Sequence, residues 1–329
     1  MNGRVVIPGG SGHCGTILAA ALWRDGRDVV VLSRSPRPAP WRVAAWDGRT
    51  PGEWESEIDG ADAVIHLSGR SVDCRYDERN RREILDSRVV STHAIGAAIG
   101  RARVPPRVWL QASTATIYAH RYDAANDETI GILGGSEPGA PDTWNFSIEV
   151  ARAWEAAADE TVLSATRRVL MRTAMVMSPR GGGAFEKLLR LVRFGLGGRA
   201  GDGRQYVSWI HDVDFVAAVR LLLRDDALSG IVNLAAPGPL PNAEFMRILR
   251  QAYGRHVGLP APRSLTELGA LLLRTESELI LKSRRVISTR LPARGFVFSF
   301  PEWWSAAAEL CARRRAQQGA PPRRVRSAA

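Results

Sequence analysis

An α/β fold is predicted, a doubly wound parallel sheet with a smaller, mostly helical C-terminal lobe. Three features of the 329-residue sequence predict it. Short apolar runs alternate with longer amphipathic stretches as far as residue 236. Glycines stand just past the ends of several of those runs. The first run, Val5 to Ile7, leads into Gly9, Gly10, Gly12 and Gly15, then into the Ala-rich stretch Thr16 to Leu22. Such alternation gives parallel strands covered by helices on both faces. Residues 1–177 plus 207–236 read as the sheet domain and 178–206 plus 237–312 as the lobe over its carboxyl edge. Residues 313–329 read as a basic, disordered tail.

The first turn is the most informative segment. It reads Gly9-Gly10-Ser11-Gly12-His13-Cys14-Gly15, between a strand and a helix. Glycine permits a tight turn and close approach of a pyrophosphate to the backbone. The following helix start offers unpaired N–H groups and a partial positive charge. Strand, glycine loop and helix together point to a Rossmann-type dinucleotide site.

The second strand, Asp28 to Leu32, delivers Ser33 and Arg34 to its carboxyl end. Folds that prefer NAD place an acid there for the ribose 2′-hydroxyl. A guanidinium instead suits a 2′-phosphate, which makes the expected cofactor NADP(H). The competing reading of Arg34 is a plain surface arginine. Val43 to Trp46 is a short strand ending in Asp47, which either accepts from the adenine amino group or builds a turn. Ala63 to Leu67 is the fourth strand; Gly69 just beyond it allows close cofactor approach, and Leu67, Ser68 and Gly69 are taken as cofactor contacts. Residues 75–100 form a helix that carries Ser87 and Arg88, and Arg88 is taken as a cofactor contact. Val108 to Ala112 is the fifth strand, followed by Ser113-Thr114-Ala115-Thr116-Ile117-Tyr118. Residues 120–143 read as a long loop and Trp144 to Thr161 as an amphipathic helix. Arg168 to Val176 is a sixth strand, and Gly181-Gly182-Gly183 opens a helix through Phe194. A short β segment, Val207 to His211, precedes a helix over Asp212 to Arg224 and a last strand, Ile231 to Leu234. Helix and turn follow, closing in a helix to about Arg315.

Composition narrows the function. No apolar run reaches the ~18 residues of a membrane span, and no secretory leader is read at the N-terminus. Cys14, Cys74 and Cys311 fit neither a disulfide framework nor a metal set, which suits a reducing cytoplasm. The net charge is +11, but six arginines crowd into the last 17 residues. That distribution argues for a solvated end and against specific nucleic-acid binding. The expected partner is a small-molecule substrate, with no membrane, for a monomer or homodimer.

The chain resembles the extended short-chain dehydrogenases/reductases. The segments that carry this are G-G-S-G-H-C-G, H-L-S-G, S-T-A-T-I-Y, M-R-T-A-M-V-M-S-P and W-I-H-D-V-D-F. More narrowly it is similar to an epimerase-like family whose C-terminal segment is a domain of unknown function. Ser87-Arg88, W-E-A-A-A at 154–158, G-L-G-G-R-A-G-D-G-R-Q-Y-V-S-W-I-H at 195–211, L-K-S-R-R-V at 281–286 and R-G-F-V-F at 294–298 carry this second likeness. The resemblance implies NAD(P) binding. It also implies that the Thr114 hydroxyl bonds a substrate carbonyl.

The resemblance further implies a Tyr-x-x-x-Lys acid/base pair, and the chain has none. Its lysines are Lys187 and Lys282, and four residues before them stand Gly183 and Glu278. In the helix that should carry the pair, Arg152 follows Ile148. Tyr118, Tyr122 and His120 are the nearest proton donors in sequence, with packing as the competing role for each. Tyr118 is the candidate taken with Thr114 for catalysis. Where sugar-nucleotide relatives carry Asn and Arg, Met175 and Val207 stand here. Three functions follow: an NADP(H)-dependent oxidoreductase with an altered acid/base group, a non-catalytic NADP(H)-binding or redox-sensing protein, and a nucleotide-sugar epimerase.

Overall fold

A computed structural model describes residues 3–135, 137, 140–265, 267 and 276–319. Seven parallel strands form the main sheet: β1 (Arg4–Pro8), β2 (Asp28–Ser33), β3 (Arg42–Ala45), β4 (Ala63–His66), β5 (Val108–Thr114), β6 (Arg167–Thr173) and β10 (Gly230–Leu234). Their order across the sheet is β10-β6-β5-β4-β1-β2-β3. The direction of winding therefore reverses between β1 and β4, where a crevice opens at the carboxyl ends.

Alternate residues of each strand face opposite sides, and both sides are apolar. On one side Val5, Ile7, Val29, Val31 and Ile65 pack against α1 (His13–Arg24) and α6 (Asp212–Arg224) through Ile17, Leu18, Phe215 and Val219. On the other, Val6, Val30, Val64 and Trp109 pack against α3 (Glu78–Arg101) and α4 (Asn145–Asp159). This explains why the strands read as continuous apolar runs. Asp77 begins α3, its carboxylate accepting from Asn80 N at 2.8 Å.

The expected sixth strand is split. Its last part, β7 (Met175–Met177), leaves the main sheet to pair with β9 (Trp209–His211). The break falls where β10 ends, with Ala174 N donating to Leu234 O. The expected 207–211 segment likewise divides into β8 (Tyr206–Val207) and β9, and β8 pairs with β11 (Leu240–Pro241).

A separate apolar cluster joins β9 to α5 (Ala184–Arg193), α7 (Asn242–Tyr253) and α8 (Trp303–Gly319). At its centre the rings of Phe245 and Trp303 stack with centroids 4.0 Å apart. The expectation of a disordered tail from residue 313 is corrected here, because α8 continues through residues 313–319. Arg313 forks onto the buried carboxylate of Asp212, and Arg314 donates to Pro179 O and Glu186. Residues 320–329 lie outside the described residues.

An ion pair inside the fold ties the sheet to a helix. Arg172 on β6 donates to both carboxylate oxygens of Glu155 on α4, at 2.8 and 2.7 Å, and Ser113 Oγ donates to the same carboxylate. The two side chains are buried, with Arg172 5% and Glu155 8% exposed. Removing one partner from such a pair strands the other's charge. Glu155→Ala is expected to lower unfolding stability by ~3–5 kcal/mol in denaturant titrations. A loss under ~1 kcal/mol would show that water reaches the guanidinium and that the pair does not hold α4 to the sheet.

Candidate functional site

The glycine loop divides its labour by position. Gly9 has φ +77°, and a Cβ there would lie 2.6 Å from Ser68 N. A Cβ on Gly10 would lie 2.8 Å from Ile7 O, and one on Gly15 only 2.4 Å from Gly10 Cα. These three glycines are required by the protein's own packing, which draws α1 tightly onto β1 and β4. Gly12 differs. Its ideal Cβ would meet only Gly9 O, at an ordinary 3.5 Å, and its φ of −74° suits any residue. It begins α1, and no side chain caps the helix, so the first-turn N–H groups have no side-chain acceptor. The protein leaves this surface bare, as close approach of an anionic ligand requires.

A cleft of about 430 Å³ lies over the loop and the ends of β1, β2 and β4. Gly9, Ser11 and Gly12 form one wall, Ser33, Arg34 and Asp47 another, and Leu67, Ser68 and Gly69 a third. Ser33 Oγ lies 3.2 Å from Ser11 Oγ and ties the second strand end to the loop. Arg34 is exposed at the rim, and its side chain has no hydrogen-bond or ion-pair partner among the described residues. Ser68 Oγ is buried without a hydrogen-bond partner. The sequence reading missed Trp46 and Arg49, which also line the cleft. Trp46 Nε1 is another buried group without a partner. Only its place at the end of an apolar run marked this residue.

Four of the expected cofactor residues are also engaged within the protein, Asp47 and His13 while still lining the space beside the glycine loop. Asp47 Oδ1 accepts from Arg49 N and Thr50 N, and Oδ2 accepts from the Thr50 hydroxyl, which with the Thr50 amide holds its carboxyl below the usual range. Asp47 thus builds a turn that presents Arg49 to the cleft it lines itself. Arg88 lies beneath the cleft floor, not in it. Its guanidinium donates to Ile84 O and Arg70 O and stacks on Trp154, and burial pulls its pKa down to about 10. It supports Gly69, whose ideal Cβ would sit 3.1 Å from Arg88 Cζ. Cys14 packs against the core, where burial pushes its thiol up to about 11. The His13 ring reaches toward residues 180–183, its Nδ1 3.3 Å from Gly181 O.

At the end of β5, Thr114 is half-buried, and its Oγ1 accepts from Thr116 N at 3.1 Å. The hydroxyl proton stays free to donate. Tyr118 is corrected as a catalytic candidate. It is 2% exposed, donates to Asn233 Oδ1 at 2.9 Å, and lies beneath the Arg172 guanidinium. Burial pushes its phenol up, away from proton exchange near neutral pH. His120 accepts at Nδ1 from Ser283 N, and Arg152 donates to Gly134 O, so both serve the local scaffold.

A lysine does reach this segment, from an unexpected direction. Lys282 is 1% exposed and its Nζ donates to Thr116 O at 3.0 Å. Arg284 Nε donates to Thr116 Oγ1 at 3.1 Å. Burial pulls the Lys282 ammonium down to about 8, with the neighbouring Arg284 adding to the effect. Glu278 lies 3.8 Å from both cations and accepts from Ser147 on α4. The L-K-S-R-R-V segment was visible in the sequence, but no periodicity or spacing tied it to Thr114.

Comparisons with known proteins agree with this geometry. Residues 5–235 match the NAD dependent epimerase/dehydratase family, and residues 261–310 match a domain of unknown function, DUF1731. The human epimerase family protein SDR39U1 is 32% identical over 312 residues, covering 94% of this chain and 100% of that protein. The crystal structure of human SDR39U1 (isoform 2) with NADPH superposes with a TM-score of 0.82 at 31% identity, over 94% of this chain and 99% of that one. A nucleoside-diphosphate sugar epimerase from Corynebacterium glutamicum gives a TM-score of 0.73 at 27% identity, over 98% of this chain and 63% of that one.

The open position of Gly12 generates a test. A Cβ there meets only an ordinary contact, so Gly12→Val is expected to keep the wild-type unfolding midpoint while losing dinucleotide binding by calorimetry. Full affinity in the folded variant would place the ligand away from the loop.

Proposed function

Because this chain belongs to the NAD dependent epimerase/dehydratase family, we propose that it binds NADP(H) in the cleft over the glycine loop and acts as an oxidoreductase on a small carbonyl or alcohol. The observation that carries the cofactor choice is Arg34. It stands at the cleft rim with no partner among the described residues, at the strand end where a preference for NAD needs an acid. Arg49 adds a second cation to the lining. The chain also fits the rest of the dinucleotide: Gly12 is bare toward the cleft, and the partnerless Ser68 Oγ supplies a hydrogen bond.

The nicotinamide, when bound, supplies or accepts a hydride. The protein's share is positioning. The Thr114 hydroxyl, oriented by Thr116 N, donates to the substrate oxygen. Lys282 and Arg284 hold the Thr116 carbonyl and hydroxyl and so fix the turn that carries Thr114. With Tyr118 in the core, the exchanged proton comes from solvent.

A second reading, binding without turnover, draws support from the same burial of Tyr118 and the missing Tyr-x-x-x-Lys pair. Sugar-nucleotide epimerisation has less support. Met175 and Val207 both pack with the apolar cluster around Trp209, where they offer no group to a sugar diphosphate.

Paired titrations test the cofactor choice. Wild type is expected to bind NADPH at least about tenfold more tightly than NADH, as one charge-assisted contact provides. Arg34→Ala is expected to erase most of that preference with little change for NADH, and added salt is expected to narrow it. Equal affinities in wild type would refute this assignment of the strand end. For chemistry, Thr114→Ala is expected to lower kcat roughly a hundredfold in a carbonyl screen followed by NADPH absorbance, without a matching loss of NADPH affinity. Absence of turnover by wild type with every carbonyl tried would favour the binding-only reading.

A further inference from the structure

A second cavity, of about 550 Å³, opens on the other side of the glycine loop. Ser11, Gly12, His13 and Thr16 form one side, and Arg180 with Gln317 the other. The segment that carries Arg180 joins β7 to α5 and is fastened on every side. His13 Nδ1 meets Gly181 O, and Gly183 lies so near the His13 ring that a Cβ there would be 2.4 Å from Nε2. Arg314 donates to Pro179 O, and Ser178 Oγ donates to Asp212.

Within this fastened segment Arg180 itself is unspoken for. Its backbone N–H donates to Ser178 Oγ, but its guanidinium has no hydrogen bond or ion pair with the described residues. The nearby acids are already engaged. Asp212 is held by Arg313 and Ser178, and Glu186 by Arg314 and Gly182 N. The described lining of the cavity carries no carboxylate. A cation on a fastened segment therefore lies across from the bare start of α1, over a space large enough for a diphosphate, with nothing among the described residues to neutralise it. Gly12 lines both this cavity and the cleft that Arg34 borders, so one extended ligand can run along both.

We propose that Arg180 clamps the pyrophosphate of the bound dinucleotide from the side opposite the glycine loop. This rests on the cofactor reading above and adds a contact supplied by the segment between β7 and α5. A pyrophosphate clamp and a 2′-phosphate clamp differ in what they distinguish. Arg34 separates NADPH from NADH; Arg180 touches a group common to both.

Calorimetry on wild type and Arg180→Ala with three probes tests this: NADPH, NADH and adenosine 2′-monophosphate, which lacks the pyrophosphate. The side chain bonds nothing among the described residues, so the variant is expected to keep the wild-type Tm. It is expected to bind NADPH and NADH ~10- to 100-fold more weakly, by similar factors. Its affinity for adenosine 2′-monophosphate is expected to stay within about twofold of wild type. Unchanged dinucleotide affinity in the variant would overturn the clamp and leave the cofactor reading standing. Equal weakening of adenosine 2′-monophosphate would also overturn it, by showing an effect on the nucleotide pocket as a whole. A wild-type protein that binds neither dinucleotide would overturn both proposals.

Discussion

The contact between Gly10 and Gly15 governs the rest of the site. Helix α1 starts so close to the strand that no side chain fits between them, since a Cβ on Gly15 would lie 2.4 Å from Gly10 Cα. That closeness points the uncapped start of α1 into the crevice between β1 and β4, where the sheet reverses its winding. It also brings Ser68, at the end of β4, against Gly9. The cleft walls thus follow from backbone packing. What the cleft prefers to bind is set by the few side chains that packing leaves unused, chiefly Arg34, Arg49 and Ser68.

The unused arginines beside the glycine loop contrast with several that fasten one element to another. Arg172 crosses from β6 to α4, Arg313 from α8 to α6, Arg88 from α3 to the carbonyl of Arg70, and Arg284 from the C-terminal region to Thr116. A planar fork with five donors suits such work better than an ammonium does. Lysine is rare by comparison, and Lys282 is itself buried on a backbone carbonyl. A guanidinium beside the glycine loop with no partner among the described residues suits a ligand's phosphate.

The sheet was legible from the sequence because its strands are apolar on both faces and end in glycine or small residues. Val5 to Ile7 and Asp28 to Leu32 needed no tertiary information to place. The same holds for Ser33, Arg34 and Ser68, whose positions at strand ends fix where they sit. Side chains whose roles depend on distant partners were not legible. Tyr118 looked available beside Thr114, but Asn233 and Arg172, over 50 residues away in sequence, take it into the core. Arg88 looked like a cofactor contact, and the carbonyls of Ile84 and Arg70 engage it instead. The arginines at 313–315 looked like a solvated tail until α6 supplied the buried Asp212. The departure of β7 from the main sheet follows from where β10 ends, which no local pattern encodes.

The central claim is that a dinucleotide lies across the start of α1 with its 2′-phosphate at Arg34. A crystal structure of the wild-type protein grown with NADPH measures this directly. The account predicts the pyrophosphate over Gly12 and a 2′-phosphate oxygen within hydrogen-bond distance of the Arg34 guanidinium. NADPH bound with its 2′-phosphate in open solvent, or bound away from the glycine loop, would contradict it.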